Sequence, residues 1–250
     1  MLPLKKTIMV LVSGVIINYS CSSGNDNVPG NAELELEASY GINVSEPSGL
    51  AIASSGNVLY TVSDNSAQVY KLSTTGNILK TYGYKGSDLE GVSTFTDNKL
   101  LLTEERTKEL IDFDITTGRF SKHPIDYKNN NANSGTEGVA YDANSETIFI
   151  LNEKNPGLLL RLRSDFSVIA EYGLDFANDY SGIFYESPSN RLWIISDESK
   201  TINKCTLTGK VLERYSINIP QAEGIAIADN KIYVVSDAEA RLYIFLKPDE

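Results

Sequence analysis

Three glutamates of this sequence stand directly before a glycine, at Glu90, Glu137 and Glu223. In two further segments of the same kind the residue before the glycine is a serine, Ser48 or Ser181. Carboxylates held close together repel one another, which raises their pKa values or requires a cation between them. Oxygen ligands without a nearby cysteine or histidine favour Ca²⁺ or Mg²⁺ over zinc or copper.

A second set of carboxylates follows these glycines at a distance of 13 to 15 residues. Each is the second member of a polar pair that ends an apolar run: Asp64, Glu104, Glu153, Asp197 and Asp237. Together with the residues before the glycines they make ten related positions, of which eight are acidic. The alternative explanation of the pairs is that Asp and Ser side chains close turns at strand ends.

The spacing of the glycines defines a repeat. They fall at positions 49, 91, 138, 182 and 224, with gaps of 42, 47, 44 and 42 residues. Each opens an apolar run, which is followed by a turn, a second apolar run and the polar pair. A period in the forties that carries short strands and turn signals indicates propeller blades or a solenoid.

Each repeat is predicted to contain four strands, A to D. In the first repeat strand A covers residues 49–53, B 58–62, C 68–72 and D 78–82, with the β-branched and aromatic residues that strands prefer. Gly76 in the C–D turn supplies the positive φ that a tight hairpin needs.

The fifth repeat lacks its own strand D, and the segment Glu33–Gly41 has the pattern of the missing strand. Tyr40 lies nine residues before Gly49, as Tyr82 lies nine before Gly91. The sequence therefore predicts an all-β, five-bladed β-propeller over residues 32–250, whose last blade is closed by the N-terminal strand. A β-sandwich with accidental spacing is the alternative, and a linear solenoid would not need the supplied strand.

In a propeller the strands A line the channel, and A and B are antiparallel. The start of A and the end of B therefore meet at one mouth of the channel. We expect an axial Ca²⁺ held by Glu90, Glu137 and Glu223, since Ca²⁺ takes about 6–8 oxygen ligands and waters could complete the set. The remaining ring positions would form the rim, and the alternative is a wet channel lined by solvated carboxylates.

The N-terminus has the features of an export signal. Lys5 and Lys6 precede the apolar segment Ile8–Ile17, which is too short to span a bilayer. Cys21 follows, and a tether rich in Ser, Gly and Asn comes after it. We predict a signal peptide over residues 1–20, a lipidated Cys21, and a tether over 21–31. A plain secretory signal cut near Ser20 or Ser23 is the alternative.

Charge and cysteine content limit the partners. The chain of 250 residues has 33 acidic and 22 basic side chains, a formal charge of -11, which excludes a nucleic-acid partner and favours cations. Two cysteines cannot form a framework of disulfides, and Cys205 is expected to be a buried small hydrophobe. We expect a monomer in the cell envelope, attached to the membrane by its lipid alone, on the periplasmic or outer side of the outer membrane.

The repeated Glu-Gly or Ser-Gly openings, together with Val62-Ser63-Asp64 and Ile195-Ser196-Asp197, resemble the SdiA-regulated family of bacterial envelope propellers. The resemblance covers roughly residues 33–247. It implies a five-bladed propeller and calcium binding at the channel mouth, without a known reaction. Because two of the five openings carry serine, the implied site would be lopsided.

The acidic mouth is compatible with binding or with catalysis. A Ca²⁺-dependent hydrolase would use a metal-bound water to attack a lactone, ester or phosphoester. The one histidine, His123, falls in the outer strand of the second repeat, so a histidine-based dyad or triad at the mouth is not expected. We assign no catalytic residue and favour a module that binds a small ligand or an envelope protein over an enzyme or a scaffold.

Overall fold

A computed structural model describes residues 31–129, 131 and 134–249. The described chain is all β. It begins with β1 (Ala32–Glu33) and β2 (Leu36–Gly41). No helix long and apolar enough to cross a membrane occurs within these residues.

Nineteen further strands, together with β2, form five blades of four strands. Blade 1 contains β3 (Pro47–Ile52), β4 (Val58–Ser63), β5 (Gln68–Ser73) and β6 (Ile78–Lys85). Blade 2 contains β7 (Leu89–Thr96), β8 (Lys99–Glu104), β9 (Glu109–Asp114) and β10 (Phe120–Pro124). Blade 3 contains β11 (Thr136–Asp142), β12 (Thr147–Asn152), β13 (Leu158–Leu162) and β14 (Val168–Gly173).

Blade 4 contains β15 (Gly182–Glu186), β16 (Arg191–Ser196), β17 (Thr201–Cys205) and β18 (Val211–Ser216). The last three strands are β19 (Ala222–Ala228), β20 (Lys231–Ser236) and β21 (Arg241–Leu246). Blade 5 has the strand order β19-β20-β21-β2. The prediction of a five-bladed propeller is therefore confirmed, including the supply of the last outer strand by the N-terminal segment.

The sequence predicts a single strand over Glu33–Gly41, but this segment contributes to two strands, β1 and β2. β1 pairs in parallel with β18, with Ala32 opposite Tyr215, whereas β2 pairs with β21. Between them Leu34 is buried in the cluster that contains Trp193 and Tyr215. Burial of this leucine between blades 4 and 5 explains why the chain leaves one sheet before it enters the next.

The inner strands β3, β7, β11, β15 and β19 contact one another in a ring. Their glycines permit the close approach. A Cβ atom on Gly91 would lie 2.3 Å from the carbonyl oxygen of Glu137, and one on Gly224 would lie 2.5 Å from the carbonyl carbon of Gly49. Neighbouring backbones occupy the space of a side chain, so only glycine fits there.

Apolar clusters fill the spaces between neighbouring blades. Trp193 is the largest fully buried side chain, and it stacks on Tyr215. Cys205 is free and buried between blades 3 and 4, and burial raises the pKa of its thiol to about 12. The expectation that Cys205 acts as a small hydrophobe is confirmed.

Candidate metal centre at the acidic mouth

The turn that enters each inner strand positions the carboxylates of the mouth. In three blades a non-glycine residue three positions before the glycine has a positive φ: Glu46, Asp88 and Gln221. Its carbonyl oxygen accepts the backbone N–H of the residue just beyond the second strand, at distances of 3.2, 3.0 and 2.9 Å for Asp64, Glu105 and Asp237. The turn thus attaches the end of the second strand to the start of the first.

This register corrects the assignment of Glu104 to the rim. Leu89 pairs with Glu104 as Pro47 pairs with Ser63, so Glu105 is the counterpart of Asp64. The number of residues between the glycine and the end of the second strand differs among blades, and the sequence pattern was therefore shifted by one residue in blade 2.

The Glu104 carboxylate lies in the interior, in contact with Tyr84 of blade 1 and Lys122 of blade 2. It is fully buried and accepts hydrogen bonds from the Tyr84 hydroxyl (2.8 Å), the Ser87 N–H (3.0 Å) and the Lys122 ammonium (2.5 Å). Burial opposes its ionisation, but these donors outweigh it and lower the pKa of Glu104. Glu104 is therefore a structural ion rather than a ligand of the mouth.

Two groups of three carboxylates have oxygens within 4.8 Å of one another in the described chain: Asp64, Asp88 and Glu90, and Glu105, Glu137 and Glu153. Neither contains all three of the glutamates that were expected to share an axial ion. Glu90 and Glu137 lie instead beside carboxylates from the ends of second strands. We call the two clusters the Glu90 group and the Glu137 group.

The Glu90 group is partly compensated by neighbouring donors. The Ser48 hydroxyl donates to Glu90 Oε2 at 2.7 Å, and Arg106 pairs with Asp88 at 3.1 Å. Burial raises the pKa of Glu90 well above its usual value, against the Ser48 hydrogen bond and with the charge of Asp64. Burial, followed by the charge of Asp88, also raises the pKa of Asp64.

The Glu137 group has less compensation. Glu137 is only 8% exposed, and no hydrogen-bond donor reaches its carboxylate from the described part of the chain. Burial and then the charges of Glu90 and Glu105 raise its pKa strongly. Glu153 is paired with Lys154 at 2.6 Å, while burial and the charge of Asp88 raise the pKa of Glu105.

Glu223 belongs to β19, the inner strand of blade 5. Burial raises its pKa to about 8, with further contributions from the charges of Asp197 and Asp179. Asp197 is paired with Lys200 at 2.6 Å. Burial raises the pKa of Asp237, whose Oδ1 is buried without a hydrogen-bond partner.

Asp88, Glu105 and Asp179 are mouth residues that were not among those predicted. Asp179 is buried and accepts hydrogen bonds from the Ser181 hydroxyl (3.2 Å), from the Glu198 N–H (3.0 Å) and from Ser196. Blade 4 thus has an aspartate two residues before the serine that replaces glutamate. The same offset relates Asp88 to Glu90, and this repeated spacing was a signal available in the sequence.

The channel is closed at the level of the five glycines, where the inner strands leave no room for a water molecule. The acidic mouth therefore does not communicate with the opposite end of the channel. Cys21 and the rest of the predicted signal and most of the tether lie outside the described residues.

Five sheets around a closed axis, each built on four antiparallel strands, with carboxylates at one mouth, define the protein as a five-bladed β-propeller. The family model described as SdiA-regulated matches residues 31–246, and the chain belongs to this family.

Solved structures share the fold at low sequence identity. Virginiamycin B lyase from Staphylococcus aureus is 14% identical, with a TM-score of 0.54 over 82% of this chain and 81% of that one. A streptogramin B lyase is 18% identical, with a TM-score of 0.50 over 85% and 73%. A catalytically inactive histidine variant of the Staphylococcus aureus lyase with quinupristin is 15% identical, with a TM-score of 0.51 over 82% and 71%.

Proposed function

We propose that this protein is a calcium-binding propeller of the cell envelope, in which the cation organises the acidic mouth for capture of a small ligand or an envelope protein. The observation that carries the proposal is the buried Glu137 carboxylate, which is clustered with those of Glu105 and Glu153 and has no hydrogen-bond donor from the described chain. A buried charge without a partner is costly, and a cation would remove that cost.

The donor set of the Glu137 group fits Ca²⁺. All three ligands are carboxylates, the type of oxygen that this ion prefers. Oxygens bound to one Ca²⁺ at about 2.3–2.6 Å lie at most about 5.2 Å apart, and those of the group lie within 4.8 Å. The proposed ligands are therefore Glu105, Glu137 and Glu153, with Glu90 and Glu223 as nearby charges that strengthen the attraction.

The cation would act as a fixed positive charge at a mouth that is otherwise acidic. With it bound, Glu137 is held ionised, and the carboxylates of the Glu90 group remain available to a second ion or to a cationic partner. The residues of the chain bind the cation and orient the ligand or partner, and we propose no reaction at the mouth. One structural neighbour is described as inactive when a histidine is replaced, whereas His123 of this chain lies in the outermost strand of blade 2.

Calcium titration of the purified protein by calorimetry at pH 8 tests the metal site, because the raised pKa values keep the carboxylates protonated at lower pH. We expect saturable binding that is weakened at least tenfold in Glu137→Gln. Glu171→Gln is the matched control, since Glu171 is an exposed glutamate of blade 3 in β14. Absence of binding by the parent protein, or equal affinity in Glu137→Gln, rejects the site.

The envelope location depends on the lipid predicted at Cys21. We expect the full chain to partition into a detergent phase, and we expect Cys21→Ser to abolish this partition.

Turnover of a lactone, ester or phosphoester that is abolished by a chelator would replace binding by hydrolysis as the function. A partner that is retained equally by the parent and by Glu137→Gln would instead indicate a scaffold that does not use the mouth.

A further inference from the structure

The end of the channel opposite the acidic mouth contains a cavity of about 570 Å³. Its walls are the residues that follow the glycines in the inner strands, and Leu50, Val92, Val139 and Ile183 lie at its closed end. Its volume falls within the range of small-molecule sites, roughly 300–1,000 Å³. Because the glycine ring closes the channel, this cavity is separate from the metal centre.

The cavity combines aromatic and hydroxyl side chains. Phe184 and Tyr141 line it and are partly exposed, and Ser93 and Thr94 line it from blade 2. Tyr141 is held edge-on by Phe95, with ring centroids 4.7 Å apart. A fixed aromatic wall offers a planar ligand contact area at little cost in side-chain entropy.

The inner strands also present main-chain groups to the cavity. Each inner strand pairs with a neighbour on one side only, so its other edge faces the channel. The carbonyl oxygen of Ile52 accepts a hydrogen bond from the Thr94 hydroxyl of the next blade at 3.3 Å. This contact shows that a carbonyl on that edge is accessible to a hydroxyl donor from outside its own sheet.

The charged groups at the wall compensate one another. Glu186 Oε1 pairs with Lys247 Nζ at 2.5 Å, and their side chains are 7% and 15% exposed. The Trp193 N–H donates to the other oxygen of Glu186 at 3.0 Å. Burial opposes ionisation of Glu186, but Lys247 and the other donors lower its pKa. The remaining charged lining residue, Asp229, is exposed at the rim and disfavours anions.

We infer that this cavity is a second binding site, which takes a neutral aromatic or heteroaromatic small molecule with hydrogen-bonding groups. The aliphatic floor and the rings of Phe184 and Tyr141 contact its faces. The hydroxyl oxygens of Ser93 and Thr94, whose hydrogens are donated to the carbonyls of Thr94 and Ile52, accept hydrogen bonds from the ligand, and the strand edges bind its other polar atoms. The pair at Glu186 is self-compensated, and the charge that remains in the lining is that of Asp229, which disfavours an anionic ligand. The site goes beyond the proposed calcium function and does not depend on it.

Two dyes with the same aromatic body test the charge preference. N-phenyl-1-naphthylamine is neutral, and 8-anilinonaphthalene-1-sulfonate carries an anionic group on a similar frame. We expect saturable fluorescence enhancement of the neutral dye at one site per chain, with at least tenfold weaker binding of the sulfonate. Absence of saturable binding of the neutral dye, or equal affinity for both dyes, overturns the inference.

Substitutions locate the bound dye. Ser93→Trp fills the cavity and is expected to abolish binding of the neutral dye, whereas Thr116→Trp adds the same ring at an exposed turn outside the cavity and leaves binding unchanged.

Tyr141→Trp keeps an aromatic wall and adds an energy donor, so energy transfer to the dye should rise above that from Trp193 alone. Unaltered binding in Ser93→Trp together with unchanged transfer in Tyr141→Trp would place the dye elsewhere and reject the site. Glu137→Gln should bind the neutral dye normally, which separates this result from failure of the metal proposal.

Discussion

Glu104 and Glu137 are buried glutamates with opposite pKa shifts, and the difference comes from their neighbours. Lys122, Tyr84 and a backbone N–H surround Glu104, and its pKa is lowered. For Glu137, burial is followed by the charges of other carboxylates, foremost Glu90 and Glu105, and its pKa is raised. Burial alone penalises the ionised form in both cases. Residue type therefore does not distinguish a structural ion from a ligand, but the supply of donors does.

The raised pKa of Glu223 predicts how stability depends on pH. Its pKa in the folded state is about 8, against 4.5 as the ordinary value, so the folded protein binds the proton more tightly. In a chelator, stability should be highest below pH 4.5 as far as this group is concerned, and should fall as the pH rises toward 8. The pH-dependent contribution of Glu223 to the free energy of unfolding is on the order of a few kcal/mol, at about 1.4 kcal/mol per pKa unit.

Urea unfolding at pH 5 and pH 8.5 in chelator measures this dependence. Glu223→Gln should reduce it, and Glu171→Gln, on an exposed strand, should not. Calcium should restore stability at pH 8.5 more than at pH 5, because protonated carboxylates bind cations weakly. A loss of stability toward low pH over this range, equal in all three proteins, would contradict the assignment of a raised pKa to Glu223.

At the scale of the element, the inner strands depend on glycine because five backbones meet near one axis. A Cβ on Gly91 would lie 2.3 Å from the carbonyl oxygen of Glu137 and 2.5 Å from the Thr103 hydroxyl. The same hydroxyl donates to that carbonyl and accepts from the Gly91 N–H. The glycine thus permits a hydrogen-bonded junction between blades 2 and 3 that also sets the position of Glu137.

Gly91→Ala should destabilise the protein by about 3 kcal/mol, since a rigid backbone cannot move away without displacing the next blade. Gly83→Ala is the matched control in the outer strand β6, where an added Cβ meets nothing within 4 Å. That change should be neutral or stabilising by up to about 1 kcal/mol. Denaturant unfolding compares the two variants, and similar stabilities would show that the inner ring tolerates side chains.

At the scale of the whole molecule, the ring is closed by strands from the two ends of the described chain. β2 pairs with β21, with Tyr40 opposite Leu242, and covers an edge that contains Ile244 and Phe245. An open apolar edge invites pairing with another molecule. Closure therefore contributes both stability and protection from aggregation.

Removal of residues 1–41 should lower the melting temperature by roughly 10 °C, corresponding to about 3 kcal/mol or more, and should cause association. Removal of residues 1–33 is the control, because it deletes β1 but leaves Leu34 and β2 in place. Thermal scans and light scattering report the two effects. If the protein that lacks residues 1–41 is monomeric and as stable as the control, β2 is dispensable.

The arrangement of the blades could be predicted from the sequence because it depends on local patterns repeated five times. The glycine spacing, the alternating strands and the matching Tyr40 segment correctly indicated the propeller and its closing strand. The break at Leu34 could not be predicted, since it depends on packing between blades 4 and 5. The exchange of Glu104 for Glu105 likewise depends on strand register, which a variable turn length obscures.

The sequence by itself determined that carboxylates recur at the starts and ends of neighbouring strands, and so which end of the channel is acidic. Only the tertiary structure decided how those carboxylates are grouped, because grouping depends on side-chain direction and on competing donors such as Ser48 and Arg106. The cavity at the other end follows from tertiary structure for the same reason: residues from separate blades enclose it, and no contiguous stretch of sequence carries its shape.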